Sequence, residues 1–183
     1  MRSATPPEIS NPWRAFLEDV DRQLPHTISI HCLGGFVAAL YYDLPRPTND
    51  LDYIEVVPGE ATDVLQRLAG IDSPLAKKHR VYFQHVGVAS VPESYAERLI
   101  EIAPGTLRRL RLFALEPHDL ALSKLVRNSP IDRNDVAQLA KAVPLDAETL
   151  RARYRAELRP TIIGDPERHD LTLEMWIEAY FGS

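Results

Sequence analysis

Cysteine is nearly missing from this sequence: Cys32 is the only one in 183 residues. No internal disulfide can form, so the chain does not depend on an oxidising compartment. Cys32 lies in an apolar, strand-like run, where a buried thiol is expected rather than a nucleophile. Positive charge is also in short supply. Against 21 Lys and Arg stand 26 Asp and Glu, for a formal net charge of -5. Non-specific nucleic-acid binding is therefore not expected as the main activity, although a local basic patch is compatible with the total. No hydrophobic run approaches the length of a membrane span. The opening "MRSATPPEIS" lacks the apolar stretch of a secretory signal, so a cytoplasmic protein with no membrane partner is expected. The histidines (His26, His31, His79, His85, His118 and His169) are scattered without the spacing of a zinc site. No serine stands in a nucleophile elbow. There is no internal repeat and no low-complexity tract.

What is present is ordinary for a globular chain: 45% hydrophobic and 26% charged residues. The length suffices for a core without staples. "NPWRAFLEDVDRQL" reads as an amphipathic helix, with Asn11 as cap and Pro12 in the first turn. "TISIHCLGG" is a strand ending in a glycine pair, and "FVAALYYDL" a short apolar helix. "DLDYIEVV" is a second strand, and "GEATDVLQRLAG" a helix closed by Gly70. "VYFQHVGVAS" reads as a third strand and "LRRLRLFAL" as a fourth, with a short helix or ordered turn, "PESYAERLIEI", between them. Then the character changes. "EPHDLALSKLVRNS", "DRNDVAQLAKAV", "DAETLRARYRAEL" and "DPERHDLTLEMWIEAYF" all read as helices with acidic first turns. Strand–helix alternation followed by helices predicts an α/β (α+β) fold: a mixed sheet core with an N-terminal helix over 1–115, and a helical region over 116–183 packed on it.

The chemistry concentrates in "LGGFVAALYYDLPRPTNDLDYIEVV". Side chains on a strand alternate faces, so Asp50 and Asp52 share one face and Glu55 points the other way. Two neighbouring carboxylates do not both stay ionised cheaply, and a hard divalent cation such as Mg²⁺ resolves the conflict. The competing reading is a solvated strand end. Gly34 and Gly35 allow close backbone approach where a helix begins, a place that favours phosphate. Arg46 can contact phosphate oxygens, and Thr48 can donate a hydroxyl or hold the loop.

"GG…RPTNDLD" resembles the signature of the nucleotidyltransferase fold, the polymerase-β-like superfamily. Within it the chain is most similar to the AbiEii-type toxin nucleotidyltransferases and a neighbouring uncharacterised family. The downstream "VPESYAERL…LRLFALEPHDLALSKLVRNSPIDRNDVAQLA" is similar to that neighbouring family, so the likeness runs from about Ile28 onward. It implies that Gly34 and Gly35 contact nucleotide phosphates and that Asp50 and Asp52 are catalytic acids holding Mg²⁺. Asp119, Lys124, Asp132, Arg133 and Asp135 match motifs that line the far side of the cleft. From the residues themselves, Lys124 can reach a phosphate or be a solvated helix lysine. Asp132 is placed to cap the helix that follows, and Asp135 can pair with Arg133 or Lys124.

The chain departs from the pattern at one point. The fold normally carries a third carboxylate on the next strand, and the expected place holds Gln84, followed by His85. Either two carboxylates suffice, or His85 or Asp135 helps, or catalysis is weakened. Two functions follow as expectations. One is Mg²⁺-dependent transfer of a nucleotidyl group from an NTP to an acceptor hydroxyl on RNA, protein or a small molecule. A toxin–antitoxin setting goes with it, the partner being a cognate antitoxin or a second copy. The other is a catalytically silent binding or interaction protein. If the acceptor is tRNA, Arg108, Arg109 and Arg111 are the candidate basic face.

Overall fold

The computed structural model describes residues 9–44 and 47–181. Five strands form one mixed sheet: β1 Ile28–Leu33, β2 Asp50–Val57, β3 Tyr82–His85, β4 Ile100–Ile102 and β5 Leu110–Ala114, in the order β3-β2-β1-β5-β4. β1 runs antiparallel to β2 and parallel to β5, and β2 is parallel to β3. The expected α/β architecture is thus present, with a mixed sheet and flanking helices. Two details differ from the sequence reading. The third strand stops at His85. An extra edge strand, β4, pairs antiparallel with β5 at Ile100–Ile102. A three-residue strand is too short to show a period of two against a turn-rich background.

One sheet face is apolar and closed. Ile28, Ile30 and Cys32 of β1 line up with Leu110, Leu112 and Ala114 of β5 in parallel register. Helix α1 (Trp13–Gln23) packs against β5, α3 (Thr62–Ala69) against β3, and α4 (Pro74–His79) against both helices. Phe16 of α1 meets Phe83 of β3 edge-on at 5.4 Å between ring centres. Such pairs contribute about 0.5–1.5 kcal/mol beyond area burial. The Asp19 carboxylate joins α1 to α4, accepting from Lys78 at 2.7 Å and lying 2.6 Å from His79. Pro12, not Asn11, takes the cap position of α1; Asn11 stands one residue earlier, its side chain still accepting from the Ala15 amide at 3.2 Å.

Helix α2 begins at Gly34–Phe36 and widens into a π-turn over Val37–Tyr41. The C-terminal helices are α5 (Pro117–Leu122), α6 (Pro130–Ala142), α7 (Ala147–Arg153) and α8 (Pro166–Trp176). Leu120, Leu122 and Leu125 are all buried, as their spacing predicts. An ion network ties these helices to the loop before β4. Asp119, fully buried, accepts from Arg98 at 2.8 Å and from Arg153 at 3.0 Å, while Glu157 also accepts from Arg98 at 2.7 Å. Among the described residues no helix is long and apolar enough to cross a membrane.

Candidate active site

The second sheet face carries the polar residues. Leu33 of β1 pairs with Asp52, so the carboxylates of β2 lie where β1 turns into α2. On the other side β3 runs parallel, with Tyr82 beside Asp50 and Gln84 beside Asp52. In-register neighbours point to the same face, so Asp50, Asp52, Tyr82 and Gln84 form one surface. The amide of Gln84 thus stands next to the second acid, where a third carboxylate was expected. Burial, and after it the two carboxylates, push the Tyr82 hydroxyl up from its usual pKa.

His85 pairs with Tyr53, and its ring lies 5.2 Å from the Tyr53 ring on the core face. It therefore cannot complete the carboxylate site, contrary to one of the sequence-based options. Glu55 brings the opposite correction. A bulge in β2 breaks the register, with Cys32 opposite Tyr53 but His31 opposite Glu55. One extra residue reverses the alternation, so Glu55 shares the face of Asp52 instead of opposing it. There it accepts from the Tyr95 hydroxyl at 3.0 Å, and the same hydroxyl lies 3.2 Å from His31 Nδ1.

Gly34 has a positive φ of +74°, and a Cβ built there would meet Asp52 Oδ2 at 2.3 Å. The missing side chain makes room for the acid itself. Gly35 is buried one residue further into α2. Thr48 holds the other acid: its hydroxyl lies 2.5 Å from Asp50 Oδ1. Arg46 lies outside the described residues.

The turn after α5 and the start of α6 supply a cluster of charges. Lys124 is neither solvated nor on a continuing α-helix. It sits in a tightened turn, its amide bonded to the Ala121 carbonyl, and its buried ammonium donates to Asp135 at 2.8 Å. Asp132 does not occupy the cap position. Ser129 does, and the two form a capping box in which Asp132 receives the Ser129 amide at 2.9 Å. The arginine that meets Asp132 is Arg127, through Nε at 2.7 Å and Nη2 at 2.5 Å. Arg133 instead donates to the Asn128 carbonyl at 2.7 Å. Burial would raise the Asp132 carboxyl, but Arg127 and Ser129 override it and hold it down to about 2. Arg127 is held charged first by Asp132 and further by Asp52 and Asp135. The charge cluster and the strand acids therefore share one field.

Sequence reasoning passed over Arg127 and Tyr82. The signals were there. Tyr82 is two residues before Gln84, and Arg127 stands two residues ahead of Ser129-x-x-Asp132, a capping-box spacing that leaves the Asp132 carboxylate at the helix start.

Of the three arginines expected as a basic face, Arg109 and Arg111 are engaged, and the segment lies away from this site. Arg111 is paired with Glu101, both bonds being 2.9 Å, and the Arg109 guanidinium donates to the Leu24 carbonyl. The segment begins beside Ile28, five residues along β1 from Leu33. At about 3.3 Å per residue that is roughly 16 Å from the acids.

Among the described residues no group of three or more His, Cys, Asp and Glu side chains is gathered so as to hold a metal. No curated protein and no solved structure matches the chain. A sequence model described as "nucleotidyltransferase of unknown function (DUF6036)" matches residues 16–180, and on that match, which spans nearly the whole chain, the protein belongs to this nucleotidyltransferase family.

Proposed function

We propose that the chain transfers a nucleotidyl group from a nucleoside triphosphate to an acceptor hydroxyl, with Mg²⁺ held by Asp50 and Asp52. The observation that carries this is the shared face of the two acids, set against Gly34 and within the field of the Arg127 cluster. The donor set suits the ion: Mg²⁺ takes one or two carboxylates and leaves its remaining positions to water and phosphate. When bound, it lowers the pKa of the attacking hydroxyl and offsets charge on the departing pyrophosphate. The acceptor hydroxyl gives up its proton to solvent, its oxygen bonds to the α-phosphorus, the bond from that phosphorus to the bridging oxygen breaks, and pyrophosphate leaves.

The protein's own side chains prepare the site. Thr48 fixes the Asp50 carboxylate. Gly34 admits the Asp52 carboxylate close to the backbone. Lys124 and Asp135, locked together, stiffen the base of the charge cluster. The toxin–antitoxin setting, with a cognate antitoxin or a second copy as partner, rests on the sequence resemblance alone. For the acceptor, the engaged Arg109 and Arg111 favour a protein or small molecule over tRNA.

The test is calorimetric titration with the four NTPs, with and without Mg²⁺, followed by transfer from α-labelled NTPs into cellular RNA and protein pools. Wild type binds a triphosphate only with Mg²⁺, and Asp50→Asn/Asp52→Asn lowers that affinity at least tenfold while the fold survives. Binding that ignores both Mg²⁺ and the double substitution sinks the reading. A silent binder is the second reading, favoured by Gln84 beside Asp52. It predicts Mg²⁺-dependent binding with no label transferred to any pool.

A further inference from the structure

The charge cluster contains two cations of different standing. Lys124 is 5% exposed and paired with Asp135, itself 3% exposed. An ammonium so enclosed has little freedom to reach a ligand. Arg127 is 70% exposed, yet its guanidinium is anchored at one edge by the fully buried Asp132. Nε and Nη2 go to Asp132, and Nη1 has no hydrogen-bond partner among the described residues. Asp132 also accepts from the amide and hydroxyl of Ser129, at 2.9 and 2.7 Å. Its charge is shared among several donors inside the protein, while that of Arg127 is presented outside. A braced guanidinium loses little side-chain entropy on binding and offers planar donors suited to phosphate. The segment that carries Arg127 leaves the sheet at the end where the acids lie: Ala114 of β5 is beside Cys32 and the Leu115 amide donates to the Cys32 carbonyl at 3.1 Å, one residue from Leu33 and its partner Asp52.

We infer that Arg127, oriented by Asp132, takes the β- and γ-phosphates of the bound nucleoside triphosphate, and that Lys124 is a buried strut rather than a phosphate ligand. The inference rests on the nucleotidyltransferase reading. It adds a substrate-binding residue and a positioning residue that the sequence motifs had not separated.

The full-length chain is titrated with Mg²⁺–ATP and, separately, with AMP. Wild-type chain that binds no triphosphate defeats the parent reading. If wild type binds, Arg127→Ala should weaken Mg²⁺–ATP roughly 10–100-fold, the range for charge-assisted hydrogen bonds, and AMP less than about threefold. Wild-type ATP affinity in Arg127→Ala, or equal losses for ATP and AMP, overturns the assignment alone. Removing the arginine strands a buried carboxylate, so Arg127→Ala/Asp132→Asn is measured alongside and should show the same ATP-selective loss. Arg127→Lys keeps a charge for Asp132. A lysine drawn to that carboxylate cannot also fork onto phosphate, so ATP binding should again fall several-fold. If Arg127→Lys binds ATP like wild type, the inference fails.

Discussion

At Gly34 a single hydrogen atom decides where a carboxylate sits. Any larger side chain would occupy the volume of Asp52 Oδ2, 2.3 Å from the site of the Cβ, and the φ of +74° adds backbone strain. We expect Gly34→Ala to cost about 1–2 kcal/mol of stability through the left-handed conformation. It should also lower Mg²⁺-dependent nucleotide affinity at least tenfold, because Asp52 must move. Thermal unfolding and calorimetry separate the two losses, and a variant with reduced melting temperature but intact affinity would reassign Gly34 to packing only. Gln84 is the second single-residue lever. It neighbours Asp52 in register, so Gln84→Glu places a third like charge on the surface. The expected outcome is tighter Mg²⁺ binding by titration, with a lower apo melting temperature that added Mg²⁺ restores. If neither quantity changes, the Gln84 side chain turns away from the acids.

Among the elements, the start of α6 and the start of α5 are held by carboxylates that fold into positively charged surroundings. In Asp132 and Glu116 burial works to raise the carboxyl. Arg127 and Ser129 in one case, His118 and Arg153 in the other, prevail and hold both down to about 2. The ordinary values are 3.8 and 4.5. A carboxyl depressed on folding contributes stability that is complete above its unfolded value and is lost as pH falls through its folded value. Stability should therefore be level above about pH 5 and decline between about pH 4.5 and 2, by on the order of 2–3 kcal/mol per group. Urea unfolding along that pH series checks it, and Glu116→Gln should flatten the slope while lowering the plateau. A wild-type curve equally steep between pH 5 and 7 would place the responsible groups elsewhere. The bulge in β2 belongs to this scale too. By reversing the alternation after Tyr53 it brings Glu55 to Tyr95 and His31, joining the acid-bearing strand to the loop before β4.

For the molecule as a whole, the question is whether residues 116–183 unfold with the sheet. Asp119 is the joint, because it accepts from Arg98 of the sheet layer and Arg153 of α7 with no exposure to solvent. Asp119→Ala removes the buried carboxylate that the two arginines share, leaving Arg98 to Glu157 and Arg153 to Glu116, and should cost about 1–3 kcal/mol. We expect one cooperative transition at lower temperature, with loss of sheet and helix signals together. Two separated transitions in calorimetry would instead make the helical region an independent unit. The separate charge cluster at the start of α6 goes with the end of α5 at Leu122 and its passage into tight turns. The chain there must deliver Lys124 to Asp135 and Arg127 to Asp132 within a few residues.

Much of this was decided by local order along the chain. Alternating apolar residues in "ISIHCL" and "DLDYIEVV" define β1 and β2, and Asp50 and Asp52 share a face because two residues is the strand period. The helices announce themselves through N-terminal caps and apolar spacing, and Leu120, Leu122 and Leu125 are buried accordingly. Other features depend on partners distant in sequence. Glu55 changes face because β1 imposes a register that β2 meets only with a bulge. His85 is removed from the site because β3 lies parallel to β2 with Tyr53 as its neighbour. Gly34 serves Asp52, eighteen positions on, and Lys124 is buried by Asp135 from the next helix. Periodicity is a property of one segment and can be read from it. Register, burial of a charge and choice of ion partner are properties of pairs of segments, and they exist only once tertiary packing has chosen which pairs meet.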